Sequence, residues 1–148
     1  MGTSFTQFNG FGFWAKDYAL KVWLMLLVHE ISAMPEPLEW LDEAKEEWRF
    51  QATFGATGCV LADMDRFIVD SERMNAINSI CQVALAKLNE KGDTLDPIFL
   101  NSLGTGGEGS SYLNHIETAC FAIVAKKFIE LLEGKLKFTA RNSPNFSC

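Results

Sequence analysis

The chain has 148 residues, 48% hydrophobic and 22% charged, with a formal net charge of −6. That length suits one domain able to bury roughly 70% of its unfolded surface, and the apolar content excludes a wholly disordered chain. The acidic balance argues against nucleic acid and anionic membranes as partners, and leaves basic proteins, cationic ligands or plain solubility.

Residues 1–13 (MGTSFTQFNGFGF) combine two close glycines with four phenylalanines, which does not make a helix. They read as an N-terminal arm, with Phe11 and Phe13 tucked against the first helix. Tyr18, Val22, Trp23, Leu26, Leu27 and Ile31 then repeat at helical spacing. They predict a first helix over about 15–33, with Asp17 near its start and Pro35 and Pro37 ending it. The longest apolar run, Val22 to Val28, is seven residues. A membrane span needs about 20, so this is a core helix.

Pro37 suits the first turn of a second helix, whose inner stripe is Leu38, Leu41, Ala44, Trp48 and Ala52. Gly55 and Gly58 bracket a turn. A third helix is expected over about 59–68, although Cys59-Val60-Leu61 also suits a strand. Asp70 and Ser71 cap a fourth, with Met74, Ile77, Cys81, Ala84, Leu85 and Leu88 inward and Gly92 just past its end. Asp96-Pro97 opens a short helix to Leu103. Gly104 to Gly109 reads as a flexible loop. Ser110 or Ser111 starts a long last helix with Leu113, Ile116, Cys120, Ile123, Val124, Phe128 and Leu131 inward, closed by Gly134. Residues 135–148 form a tail with one short extended piece at 135–139. No period-2 segment long enough for a sheet stands out. The expected fold is all-α, one compact bundle of about five to six helices spanning 1–148.

The four cysteines, Cys59, Cys81, Cys120 and Cys148, form no C-x-x-C pair. Cys81 and Cys120 fall on inward positions and read as small core residues, with Cys148 exposed. No secretory signal is visible. These features imply a reduced, cytoplasmic protein.

Catalytic motifs fail on inspection. His29-Glu30 starts H-E-x-x-H, but the second histidine's place holds Ala33. The glycine loop before a helix could cradle phosphate, yet no lysine follows and Glu108 repels an anion. Asp63, Asp65 and Asp70 lack the glycine and glutamate spacing of a calcium loop. His115 and Cys120 would stand about 140° apart on a helix, which argues against a dyad. No cofactor and no metal is expected, and the chain reads as a non-enzyme.

The acidic segment carries the most information. From Glu36 to Glu72 ten acids (Glu36, Glu39, Asp42, Glu43, Glu46, Glu47, Asp63, Asp65, Asp70, Glu72) face only Lys45, Arg49 and Arg66. From Lys126 onward the balance is positive. A solvated helix face would show the same pattern. The functional reading is a docking surface made by Glu39, Asp42, Glu43, Glu46, Glu47, Asp63 and Asp65, with Trp40 as an apolar anchor.

The stretch Gly12-Phe-Trp-Ala-Lys-Asp-Tyr-Ala-Leu-Lys-Val-Trp-Leu-Met-Leu-Leu, together with Trp40-Leu41 and the acidic face over 39–47, resembles small helical immunity proteins. These protect bacteria from contact-dependent inhibition or related polymorphic toxins. The resemblance covers about a third of the chain and contains no diagnostic motif. It implies a cytosolic inhibitor that binds and neutralises a basic toxin domain, such as a nuclease, with no nucleic acid or membrane as partner. Two alternatives remain open. One is a small enzyme or ligand-binding domain with its site near His115, Glu117 and the 104–111 loop. The other is a homo-oligomeric structural subunit.

Overall fold

The computed structural model describes residues 2–106 and 111–148. The chain opens with two strands, β1 (Thr3–Phe8) and β2 (Phe11–Lys16), and runs directly into α1 (Asp17–Ser32). Then come α2 (Glu39–Phe54), α3 (Met64–Phe67), α4 (Ser71–Glu90), β3 (Thr94–Leu95), α5 (Pro97–Ser102), β4 (Ile116–Glu117) and α6 (Ala119–Leu132). The described residues therefore hold six helices and two antiparallel two-stranded sheets. The fold is mixed α and β, which corrects the all-α expectation.

The expected arm is a β-hairpin. Asn9 and Gly10 form its turn with φ of 51° and 82°. Positive φ at both central positions matches the twist of the flanking strands, and Asn-Gly tolerates it best. The register pairs Phe8 with Phe11, Thr6 with Phe13 and Ser4 with Ala15. Those six side chains share one face. On it Ser4, Thr6, Phe8, Phe13 and Ala15 are buried. The other face carries Phe5 against Trp14, ring centroids 5.3 Å apart. Gly12 sits beside that pair because a Cβ there would lie 2.1 Å from the Thr6 carbonyl oxygen.

The C-terminal tail packs back on the hairpin. It closes the free edge of β2. Gly12 N–H donates to the Phe138 carbonyl at 2.9 Å, and Phe146 N–H to the Trp14 carbonyl at 2.8 Å. Trp14 N–H and Lys16 N–H donate to the hydroxyls of Ser143 and Ser147. Cys148 is joined to Cys120 by a disulfide, so neither is the free thiol expected of a reduced chain. Cys81 is buried and free, as its helix position implied, and Cys59 is exposed and free.

Helix α1 is the hub. It packs on α2, α4 and α6. Nine of its apolar side chains are buried, including Trp23, Leu27 and Ile31. A helix apolar nearly all round must be enclosed to be stable. Trp23 meets Phe128 of α6 edge to face, with centroids 6.0 Å apart. Trp48 of α2 is fully buried, and its indole N–H donates to the Ala62 carbonyl at 2.6 Å. That bond secures the irregular stretch after α2, where the helix expected over 59–68 is only the single turn Met64–Phe67.

Capping follows the chemistry read from the residues. The Asp70 carboxylate accepts Arg73 N–H at 2.8 Å, and Asp96 accepts Phe99 N–H at 2.8 Å. Each satisfies an amide the first helical turn leaves open. The last helix begins at Ala119, not at Ser110 or Ser111. Residues 107–110 of the expected glycine loop and cap lie outside the described residues. Leu113 and Ile116 are not helical: Ile116 pairs with Leu95 in the small β3–β4 sheet. The Thr118 hydroxyl and amide bond Gly92 and Asp93, which fixes this ladder. No helix among the described residues is long and apolar enough to cross a membrane.

Candidate functional site

The face of α2 turned from the core is built by simple periodicity. Leu41, Ala44, Trp48 and Ala52 are buried against α1 and α3. Steps of three and four along the opposite side run Glu39, Glu43, Glu46, Phe50, Phe54. The first three are exposed carboxylates. The last two are aromatic and exposed at 55% and 69%, in contact at a tilt of 50° with centroids 5.6 Å apart. One helix face thus passes from acidic to aromatic.

The remaining residues expected at this surface divide. Asp42 and Glu46 share Lys45, at 2.8 and 3.7 Å. Glu47 is half-buried and accepts from Gln51 at 3.1 Å. Asp63 and Asp65 do not belong to the α2 face. Asp63 is the left-handed residue before α3 and pairs with Arg66 at 3.6 Å. Asp65 accepts the Asn9 N–H at 3.0 Å, which anchors the hairpin turn. Trp40 is half-buried against the core, with the Arg73 guanidinium 4.9 Å from its ring centre. A cation–π contact thus engages the Trp40 ring within the chain itself. Phe50 and Phe54 are the exposed aromatics of this face.

A cleft of about 770 Å³ lies apart from that face, at the start of α1. Tyr18, Lys21, Thr105, Tyr112, Ile116 and the Cys120–Cys148 disulfide are among the groups lining it. Asn101 positions Tyr112 by bonding both its backbone N–H and its carbonyl, at 2.7 and 3.0 Å. Phe121 holds the Tyr18 ring edge to face at 5.8 Å. Burial pushes both phenols above their ordinary value, and at Tyr18 the neighbouring Tyr112 adds to the rise. At Tyr112 the nearby Thr105 hydroxyl offsets part of it. His115 and Glu117 are exposed and do not line the cleft.

Among the described residues no three His, Cys, Asp or Glu side chains group as a metal site. The chain matches no known protein-family model, no curated protein and no solved structure.

Proposed function

We propose that this chain is a protein-binding protein that docks onto a basic partner through the outer face of α2. The observation that carries the reading is the adjacent Phe50–Phe54 pair, more than half exposed and in line with Glu39, Glu43 and Glu46. Two adjacent exposed aromatics are an unfavourable solvent surface, and buried aromatics dominate interface energetics. The carboxylates beside them steer a cationic surface and raise its association rate.

The resemblance of residues 12–27 to immunity proteins narrows the partner to a toxin domain with a basic active site, such as a nuclease. The chain would then be its cytoplasmic inhibitor. Disulfides are rare in that compartment. The docking face needs none, since α2 packs on α1 and α3 and contributes no residue to the Cys120–Cys148 bond.

The test is co-expression with the product of the neighbouring gene, then chromatography, growth rescue and binding kinetics. Phe50→Ala with Phe54→Ala should cost about 2–4 kcal/mol of affinity through faster dissociation. Glu39→Lys with Glu43→Lys and Glu46→Lys should slow association and remove its salt dependence. Affinity that survives both sets of changes would exclude this face.

A further inference from the structure

Burial divides the C-terminal tail into a root and a strap. The root is Leu136, which is buried, and Phe138, which is half-buried and accepts the Gly12 N–H at 2.9 Å. From residue 139 to residue 148 no residue is buried. This strap crosses the outer edge of β2 with Phe146 as its one large apolar side chain. The Phe146 ring meets Phe13 edge to face, with centroids 6.3 Å apart.

Trp14 and Lys16 hold the strap by hydrogen bonds. Trp14 N–H donates to the Ser143 hydroxyl at 3.1 Å, its indole N–H to the Ala140 carbonyl at 2.8 Å, and its carbonyl accepts Phe146 N–H at 2.8 Å. Lys16 N–H donates to the Ser147 hydroxyl at 2.6 Å, and its ammonium to the Cys148 carbonyl. The bonds to side chains are exposed or part-buried, so water replaces each at little net cost. A segment with few buried apolar contacts opens locally at low free energy. The Cys120–Cys148 bond is the one covalent hold, and it pins the far end of the strap to the start of α6. While it is intact both ends of the strap are fixed and the opened segment gains little freedom. Once it is cut only the root restrains it.

We propose that Cys120–Cys148 is a redox latch on this strap, and that its reduction lifts residues 139–148 off β2 while the rest of the fold stays in place. The reductant is a dithiol. Its first thiolate attacks the sulfur of Cys148, which is exposed where Cys120 is buried. The S–S bond breaks, and Cys120 leaves as a thiolate that takes up a proton. The second thiolate of the dithiol then displaces Cys148 from the mixed disulfide as a thiol. The dithiol ends as a disulfide, and the protein has gained two electrons and two protons. The lifted strap bares Trp14 N–H and carbonyl and Lys16 N–H, the donors and acceptor of a strand edge, and frees the Lys16 ammonium. None of these residues lies on α2, so the latch and the docking face can fail separately.

The experiment compares the oxidised full chain with the same chain reduced by dithiothreitol, by NMR relaxation and trypsin cleavage, with the state of the bond read by mass. Both samples carry Cys59→Ser, so that the exposed free thiol cannot mispair. After reduction the backbone order parameters of residues 141–147 should fall below about 0.6. The Trp14 and Lys16 amides and the Trp14 indole N–H should shift, and trypsin should cut after Arg141 about tenfold faster. The amides of Leu27, Trp48 and Ile77, in the buried faces of α1, α2 and α4, should keep their positions. Adding Cys148→Ser should give the reduced pattern without reductant, and reoxidation of the parent should restore the first spectrum. A strap that keeps its shifts and order parameters once the bond is cut would overturn the proposal. So would collapse of the whole spectrum, because the bond would then staple the entire fold, and so would a strap that fails to return on reoxidation.

Discussion

The Ser4 hydroxyl donates to the Asp17 carboxylate at 2.5 Å, while the same oxygen accepts Val60 N–H at 2.9 Å. Two side chains thus join the hairpin, the start of α1 and the loop after α2. Asp17→Ala leaves the Ser4 hydroxyl and Gly58 N–H without their acceptor, and should cost about 3 kcal/mol. Ser4→Ala should cost about 2 kcal/mol by freeing Val60 N–H. The double variant should lose less than the sum, because each single change already breaks the shared bond. Urea unfolding of the four proteins measures this directly, and strict additivity would show that the network is not coupled.

The Cys120–Cys148 bond closes a loop with a sequence separation of 28. On chain-entropy grounds its removal should cost about 3–4 kcal/mol. Cys148→Ser should reproduce the loss that a reductant causes in the parent chain, and should itself be insensitive to reductant. Thiol labelling of the oxidised protein should modify Cys59 at once. Cys81 should react only on unfolding, since it is fully enclosed and burial pushes its thiol far above the ordinary range.

The chain has two tyrosines, Tyr18 and Tyr112, and both phenols are raised above 10.0. A native absorbance titration should therefore show a tyrosinate midpoint above that pH. In denaturant the midpoint should fall back to about 10. The folded form holds these protons more tightly than the unfolded form. Their contribution to stability is thus complete below about pH 10 and fades as pH rises through the folded values. A native midpoint at or below the denatured one would contradict the burial of both rings.

Thr6 points its hydroxyl into the core at 1% exposure without a partner among the described residues. Thr6→Val keeps the shape, suits a strand and removes an unsatisfied group. It should raise stability by about 1 kcal/mol in thermal or urea unfolding. A loss of stability would mean that a bound water satisfies that oxygen.

How far each segment can be read from its residues depends on which signal rules it. Helices α1, α2, α4 and α5 lie close to expectation because apolar stripes and the caps at Asp70, Asp96 and Gly92 agree. The hairpin hides from a periodicity reading because its inward positions on β1 include Ser4 and Thr6, while Phe5 points away to pack against Trp14. That inverts the usual alternation. Asn9-Gly10 is the available signal, since Asn-Gly between apolar runs marks a tight turn. The early start expected for α6 arises because Leu113 and Ile116 continue the helical period, whereas the pairing of Ile116 with Leu95 is a contact that period cannot reveal. At the α2 face the carboxylates are legible. Phe50 and Phe54 continue the Glu39–Glu43–Glu46 stripe opposite Leu41, Ala44 and Trp48, but a reading by charge passes over them, and the structure shows that no other described element covers the two rings. Asp65 looks like surface charge in the sequence, and only the fold shows that it belongs to the hairpin turn.

The tail laid along β2 also bears on how the molecule comes into being. Residues 12–16 acquire partners at 138–147, and the bond from Trp14 to Ser143 spans 129 residues. Until those residues emerge from the ribosome, a nascent chain can fold the hairpin back on itself but presents an open strand edge. Such edges recruit other chains. The first structure able to form is therefore completed late. Trimming residues 137–148 would remove the cover from β2 as well as the disulfide, and would yield a species prone to pair with its own copies.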